Sequence, residues 1–261
     1  MVSVKSNREL DLMREAGKLV AEVLHEVAGH VRVGITTEEI DALAERLTLD
    51  RGAKPAFKGY YGFRHTLCTS PNEQVVHGVP NKRPLEEGDI VGLDYGLVHK
   101  GFYGDSAVTV PVGKVEKRAS QLMIATRDSL YAAIEVAREG NTLKDIARAI
   151  EETVKPFGYG IVREFVGHGI GQALHEDPQV AHYVSGASSM KLKKGMTICI
   201  EPMITEGGHA VRVLDDRWTC VTVDGKLAAH FEHTLAITDG PAEVLTEWSP
   251  ARFDSVLGPL E

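Results

Sequence analysis

The sequence predicts an α+β domain assembled from two similar halves, with helices on one side and strands lining the other. Three observations lead there. Leu85-Glu86-Glu87-Gly88-Asp89-Ile90-Val91-Gly92-Leu93-Asp94 and Leu192-Lys193-Lys194-Gly195-Met196-Thr197-Ile198-Cys199-Ile200-Glu201 share one pattern at a spacing of 107 residues. Each runs from leucine through two charges and a glycine into an apolar strand that ends on a carboxylate. Gly34-Ile35-Thr36-Thr37-Glu38-Glu39-Ile40 lies over Gly140-Asn141-Thr142-Leu143-Lys144-Asp145-Ile146 at 106 residues, as a duplicated half requires. Helical periodicity also alternates with glycine-rich, strand-like stretches. An apolar strand ending on an unpartnered carboxylate is costly in a core unless a metal, a proton or a cation compensates it.

The first helix begins near Asn7, where Leu10, Met13, Gly17, Val20, Leu24 and Val27 form one apolar stripe. Gly34 breaks it. Thr36 and Glu39 then read as a capping box for a second helix carrying Ile40, Leu43 and Leu47, ended by Arg51-Gly52-Ala53. Residues 54–88 are rich in Gly, Pro, Tyr and Phe, which suits short strands and functional loops. Strands are expected from Asp89 to about Val112. A long helix follows from about Val115 to Arg138, burying Leu122, Ala125, Ser129, Ala133 and Ala137. Gly140-Asn141-Thr142 caps a fourth helix holding Ile146, Ile150 and Val154. After Pro156 the chain turns again to strand and loop. No linker or low-complexity run divides it, which predicts one domain, residues 1–261, in halves of roughly 1–113 and 114–261.

Of the 261 residues, 43% are hydrophobic and 25% charged, a balance ordinary for a soluble globular chain. The net charge of −8, with no basic block, argues against nucleic acid as a partner. Cys68, Cys199 and Cys220 are odd in number and form no Cys-x-x-Cys pair, so a reducing, cytoplasmic setting is expected rather than a disulfide frame. The opening residues lack an apolar signal core, and no later run reaches membrane-spanning length.

The chemistry starts in the 89–112 hairpin. A turn at Val98-His99-Lys100-Gly101, centred between His99 and Lys100, sets Asp94 opposite Asp105 with Cβ atoms roughly 4.5–5.5 Å apart. Two carboxylates so placed need a proton or a cation between them. In the second half Glu201 ends the equivalent strand. A hairpin of residues 218–223 and 227–237 around Asp224-Gly225-Lys226 puts Trp218 opposite Glu232, a carboxylate in an otherwise apolar strand. Four acids converging on one cleft call for about two divalent cations. Of eleven histidines, His25, His30, His65, His99, His182, His209 and His230 read as surface or core residues. His168, His175 and His77 sit in glycine-rich stretches open to close approach, and spacing alone does not say which of them binds metal.

Gly167-His168-Gly169-Ile170-Gly171, Glu201-Pro202-Met203, Phe231-Glu232-His233-Thr234, Val76-His77-Gly78-Val79-Pro80 and the Asp94/Asp105 hairpin together resemble the methionine aminopeptidases. Order and spacing agree over essentially the whole chain, to Ile237. The resemblance implies the two-fold pseudo-symmetric "pita-bread" fold of creatinases and aminopeptidases, with helices outside a curved antiparallel sheet. The short gap from His168 to Glu201, and the lack of a zinc-finger extension ahead of the first helix, are similar to short type I enzymes.

Carried over, the resemblance makes Asp94 a ligand of one metal, Asp105 and Glu232 bridges between two, and His168 and Glu201 ligands of the second. It assigns His77 and His175 to the scissile peptide. Two ions (Co, Mn, Fe or Zn) sharing a water supply a hydroxide nucleophile, with Glu201 carrying the proton to the departing amine and His175 stabilising the oxyanion. Tyr60, Phe63, Cys68, Leu174 and Trp218 fall where the methionine pocket is expected, and such a wall suits a thioether. Phe57 and Leu174 depart from the cysteine and phenylalanine common in bacterial members, as Asp94-Tyr95-Gly96 does from Asp-Val-Thr, which bears on pocket shape. The implied activity is removal of N-terminal methionine ahead of a small second residue. Peptide N-termini, including ribosome-associated nascent chains, are the implied partners of a monomeric, non-membrane enzyme. An aminopeptidase P or prolidase-like X-Pro hydrolase is the rival within the fold, though those enzymes carry an extra N-terminal domain. A non-enzymatic peptide-binding member or a mononuclear metal-holding protein is the rival outside it.

Overall fold

The computed structural model describes residues 2–248. Helices α1 (Asn7–Ala28) and α2 (Thr37–Asp50) precede strands β1 (Lys54–Pro55), β2 (Leu67–Pro71), β3 (Gln74–Val76), β4 (Ile90–His99) and β5 (Phe102–Pro111). Helices α3 (Lys117–Val136) and α4 (Leu143–Val154) lead into β6 (Gly160–Ile161), β7 (Gly167–Gly169), β8 (Glu176–Val180) and β9 (Thr197–Ile200). The chain then forms β10 (Met203–Thr205), β11 (Val211–Val213), β12 (Cys220–Thr222), β13 (Ala228–His230), β14 (Glu232–Ala236) and β15 (Glu243–Val244). No helix among the described residues is long and apolar enough to cross a membrane.

The helices form where the apolar stripes lie. Met13, Gly17, Val20, Leu24 and Val27 are buried along α1, and Leu122, Ala125, Ser129 and Ala133 along α3. The third helix is two residues shorter at each end than its periodicity suggests. Both expected caps are in place. Thr36 Oγ1 accepts the Glu39 N–H at 3.2 Å, and Thr142 Oγ1 accepts the Asp145 N–H at 3.3 Å, each acid answering the cap's own N–H. The two caps are also tied to the rest of the chain alike. The Gly34 N–H donates to Leu85 O at 2.8 Å, as the Gly140 N–H does to Leu192 O at 3.1 Å. The Gly88 N–H donates to Val112 O and the Gly195 N–H to Ile237 O, both at 2.9 Å, with φ of 93° and 86° at the two glycines. We propose from this recurrence one domain in two related halves, roughly 1–113 and 114–261; residue 1 and residues 249–261 of that span lie outside the described set.

Among the described residues, a nine-stranded antiparallel sheet runs β1-β4-β5-β14-β9-β7-β8, with β2 added to β4 and β15 to β14. The two halves meet at β5 and β14, where Glu232 pairs with Ala107. Helix α1 packs on β4 and β5, and α3 on β13, β9 and β5, so one core holds Leu24, Leu93, Leu122, Ile198 and Leu235 together. This is the α+β arrangement that the sequence pattern predicts, in the pita-bread form that the resemblance implies.

Two register expectations need correction. The first hairpin turns at Lys100-Gly101, both at positive φ (49° and 84°), so His99 pairs with Phe102. Asp94 therefore faces Ala107, and Asp105 faces Gly96. The slip is two residues, an even number, so both acids keep to one face of the sheet. The second expected hairpin does not form as a ladder. Both edges of β12 are taken, by β11 and β3, while β13 pairs with β10 and β14 lies between β5 and β9. The chain changes sheets at Phe231, so Trp218 has no ladder partner in Glu232.

Candidate metal centre and its apolar pocket

The sheet order explains why residues far apart in sequence converge. Asp94 lies on β4, Asp105 on β5, Glu232 on β14 and His168 on β7, with Glu201 one residue past β9. These are adjacent or near-adjacent strands, and the acids share a face. One oxygen each of Asp94, Asp105 and Glu232 lie within 4.8 Å of one another. His168 Nε2 is 3.6 Å from Glu201 Oε1 and 3.9 Å from Asp105 Oδ2. The His168 Nδ1–H donates to Gly169 O at 2.9 Å, which leaves the Nε2 lone pair facing the carboxylates. Asp105 is held from behind. Its N–H donates to Thr234 Oγ1 at 3.1 Å, and the Thr234 hydroxyl donates to Asp105 O at 2.7 Å.

The electrostatics of this cluster are unfavourable for the protein alone. Burial pushes the Asp94 carboxyl up to about 7. Burial and then the neighbouring acids push Asp105, Glu201 and Glu232 well above the ordinary carboxylate range. Burial holds His168 down at about 3, so its imidazole is neutral at neutral pH. Asp105 Oδ1 and Glu232 Oε1 are buried without a hydrogen-bond partner. Among the described residues, no lysine or arginine pairs with any of the four acids. Four oxygen-donor side chains, a preset imidazole nitrogen and two orphaned buried oxygens fit hard or borderline divalent cations. The Cys199 sulfur forms a second possible trio with His168 and Glu232 that spacing alone did not reveal. Burial pushes that thiol far up, and it pairs with Thr234 Oγ1 at 3.4 Å.

Beside the acids opens a cavity of about 150 Å³. Every site residue expected from the sequence lines it: Asp94, Asp105, His168, Glu201 and Glu232, then His77 and His175, then Tyr60, Phe63, Cys68, Leu174 and Trp218. Phe57 completes the wall and packs where Gly96 leaves no room for a Cβ, 2.8 Å from its ring. Phe63 and Trp218 meet edge to face at 5.0 Å. His77 takes φ +57°, unusual for a non-glycine residue, and its ring meets Phe165 edge-on at 5.2 Å. Burial lowers His77 to about 4. His175 sits at the mouth with one side open to solvent. Its Nδ1 and the Tyr60 hydroxyl are 2.7 Å apart, and its ring centroid lies 4.3 Å from that of His168.

Two histidines expected to be plain surface or core residues lie instead against Glu201. The Glu201 N–H donates to His182 Nε2 at 3.2 Å, and His230 Nε2 is 3.7 Å from Glu201 Oε2. Burial lowers both to about 3. His230 stands two residues before Glu232, but the change of sheets at Phe231 interrupts the strand alternation that would have marked it, and nothing local marks His182.

A profile of metallopeptidase family M24 matches residues 11–239. The chain is 47% identical to methionine aminopeptidase 1 of Bacillus subtilis over 246 residues, covering 94% of this chain and 99% of that protein. It is similar to the crystal structure of methionine aminopeptidase from Thermotoga maritima, with a TM-score of 0.92, 44% identity and coverage of 95% and 100% of the two chains. The fold extends to the prolidase of Pyrococcus furiosus (TM-score 0.76, 24% identity, 94% of this chain and 66% of that one).

Proposed function

The chain belongs to metallopeptidase family M24, and we propose that it removes N-terminal methionine from peptides and nascent proteins whose second residue is small. The observation that carries the proposal is the apolar pocket of Phe57, Tyr60, Phe63, Cys68, Leu174 and Trp218 opening directly onto the acid cluster. It offers an unbranched thioether a wall of aromatic and sulfur groups. A site that binds a free α-amino group at its metal end cleaves only the first peptide bond.

In this reading Asp94 would hold one divalent ion, Asp105 and Glu232 would serve both ions, and His168 and Glu201 would hold the second. The orphaned Asp105 Oδ1 and Glu232 Oε1 support the bridging roles. When bound, such ions supply Lewis acidity and a water whose pKa falls toward neutrality. Glu201, whose Oε1 lies 3.6 Å from His168 Nε2 at the heart of the cluster, would accept the proton from the nucleophile and return it to the departing amine. His175 has its Nδ1 engaged by Tyr60, which leaves Nε2 for the carbonyl oxygen. His77, fixed by its backbone and by Phe165, orients the substrate amide. The three buried free cysteines and the similarity to bacterial methionine aminopeptidases support work on nascent chains in a reducing cytoplasm. Mn, Fe, Co and Zn all suit the donor set.

The test is a peptide panel of Met-Ala-Ser, Met-Lys-Ser, Leu-Ala-Ser and Ala-Pro-Ser with added divalent metal. Met-Ala-Ser is expected to be cleaved fastest. Preference for Ala-Pro-Ser would transfer the chain to the X-Pro hydrolases of the same fold, and no cleavage of any peptide would leave a binding protein.

A further inference from the structure

We propose that Lys5 is a positioning residue for the reaction, its ammonium group clasping Glu176 and so holding the active-site loop that carries Leu174 and His175. The inference rests on the function proposed above and adds the N-terminal arm to its machinery.

The arm ahead of α1 is tied to the second half through its backbone, the Lys5 N–H donating to Gly195 O at 2.7 Å. The Lys5 side chain is buried, 5% exposed, and donates to Glu176 Oε2 at 2.6 Å and to the Ser3 hydroxyl. The Ser3 hydroxyl in turn donates to the same Glu176 oxygen at 3.1 Å. The other oxygen of Glu176 closes the loop, accepting the Gln172 N–H at 2.9 Å and the Ala173 N–H at 3.3 Å. Gly171 permits this seating. A Cβ there would lie 2.6 Å from Lys5 Cε and 2.7 Å from Glu176 Oε1. The loop's far side is fixed by the Tyr103 N–H donating to Gly171 O at 2.8 Å.

Glu176 is thus a carboxylate whose two oxygens do separate jobs, one shaping the loop and one gripping the arm. His175 precedes it directly, 4.3 Å in ring-centroid distance from His168, and Leu174 lines the pocket. Without the ammonium group, the half-buried Glu176 carboxylate loses its countercharge and turns toward water, and the loop turns with it. Small displacements of an oriented group cost rate out of proportion to their size.

The experiment compares Lys5→Met, Lys5→Arg, Glu176→Gln and the Lys5→Met/Glu176→Gln double variant in the full chain. The readouts are kcat and KM on Met-Ala-Ser, metal content, Tm, and hydrogen exchange at residues 171–176. Lys5→Met is expected to lower kcat/KM roughly tenfold, mainly in kcat, with full metal content. Faster exchange at the Gln172 and Ala173 amides should accompany it. Lys5→Arg should restore most of the rate, and the double variant should be no worse than the worse single one. Lys5→Met within twofold of the parent, or a loss recovered wholly by assaying further below Tm, overturns the proposal. So does unchanged loop exchange. An inactive parent would sink the peptidase reading, while the exchange measurement would still decide whether Lys5 holds the loop.

Discussion

Asp105 and Glu232 differ from the other residues of the acid cluster in each having a buried oxygen with no partner. If each spans two ions, Asp105→Ala or Glu232→Ala should strip metal from the protein, as measured by metal analysis after gel filtration. His175→Ala should keep its metal, because Tyr60 and substrate are its only expected partners. Its loss should fall on kcat and kcat/KM together, roughly a hundredfold for one removed oxyanion donor. His77→Ala should also slow turnover while retaining metal, with more effect on peptide than on free-methionine binding. A His175→Ala protein that loses metal while Asp105→Ala keeps it would reverse these assignments.

At the scale of elements, glycines mark where backbone meets backbone. Gly17 lies mid-way along α1, where alanine is intrinsically better by about 1 kcal/mol. Yet a Cβ at Gly17 would stand 2.4 Å from Leu245 O, beside β15. Gly17→Ala should therefore destabilise, by about 1–3 kcal/mol of overpacking, and a raised Tm would show that this close approach can relax. The first hairpin teaches a related lesson. Its turn residues Lys100 and Gly101 set the register, and only their shared positive φ reveals that the two-residue turn lies there rather than one residue earlier, at His99-Lys100. The pairing was misplaced by two while the face of each acid was right, because side-chain direction follows parity alone.

Across the whole molecule, the buried acids make stability depend on metal and pH together. With metal removed, burial holds Asp94 up at about 7, and burial with the neighbouring acids holds the other three well above the ordinary carboxylate range. Raised carboxyls favour the folded state while protonated, a contribution present below their ordinary range and lost as pH rises through the raised values. Bound metal requires the ionised forms and removes that loss. The Tm difference between metal-loaded and chelator-treated protein should therefore be larger at about pH 8 than at about pH 6. Buried His168, His182 and His230 are neutral at both pH values, held down by burial, so their effect on the difference is small. Equal or narrower gaps at the higher pH would show that the four acids are not the metal site.

The sequence by itself determined the helices and the repeated strand-to-carboxylate pattern, because periodicity, capping boxes and glycine punctuation act over a few residues. The Thr36 and Thr142 caps and the acids Asp94 and Glu201 were legible for that reason. The metal-binding histidine and the pocket residues were expected only from the resemblance to methionine aminopeptidases. The tertiary structure alone decided which strand lies beside which. Residues 218–223 and 227–237 read as a hairpin, yet β12 found both edges filled by β3 and β11, a competition between distant segments that no local signal records. It also placed His182 and His230 against Glu201, and Lys5 against Glu176 across 171 residues of chain. Such pairings depend on burial and on charges left without other partners, and those are properties of the packed whole.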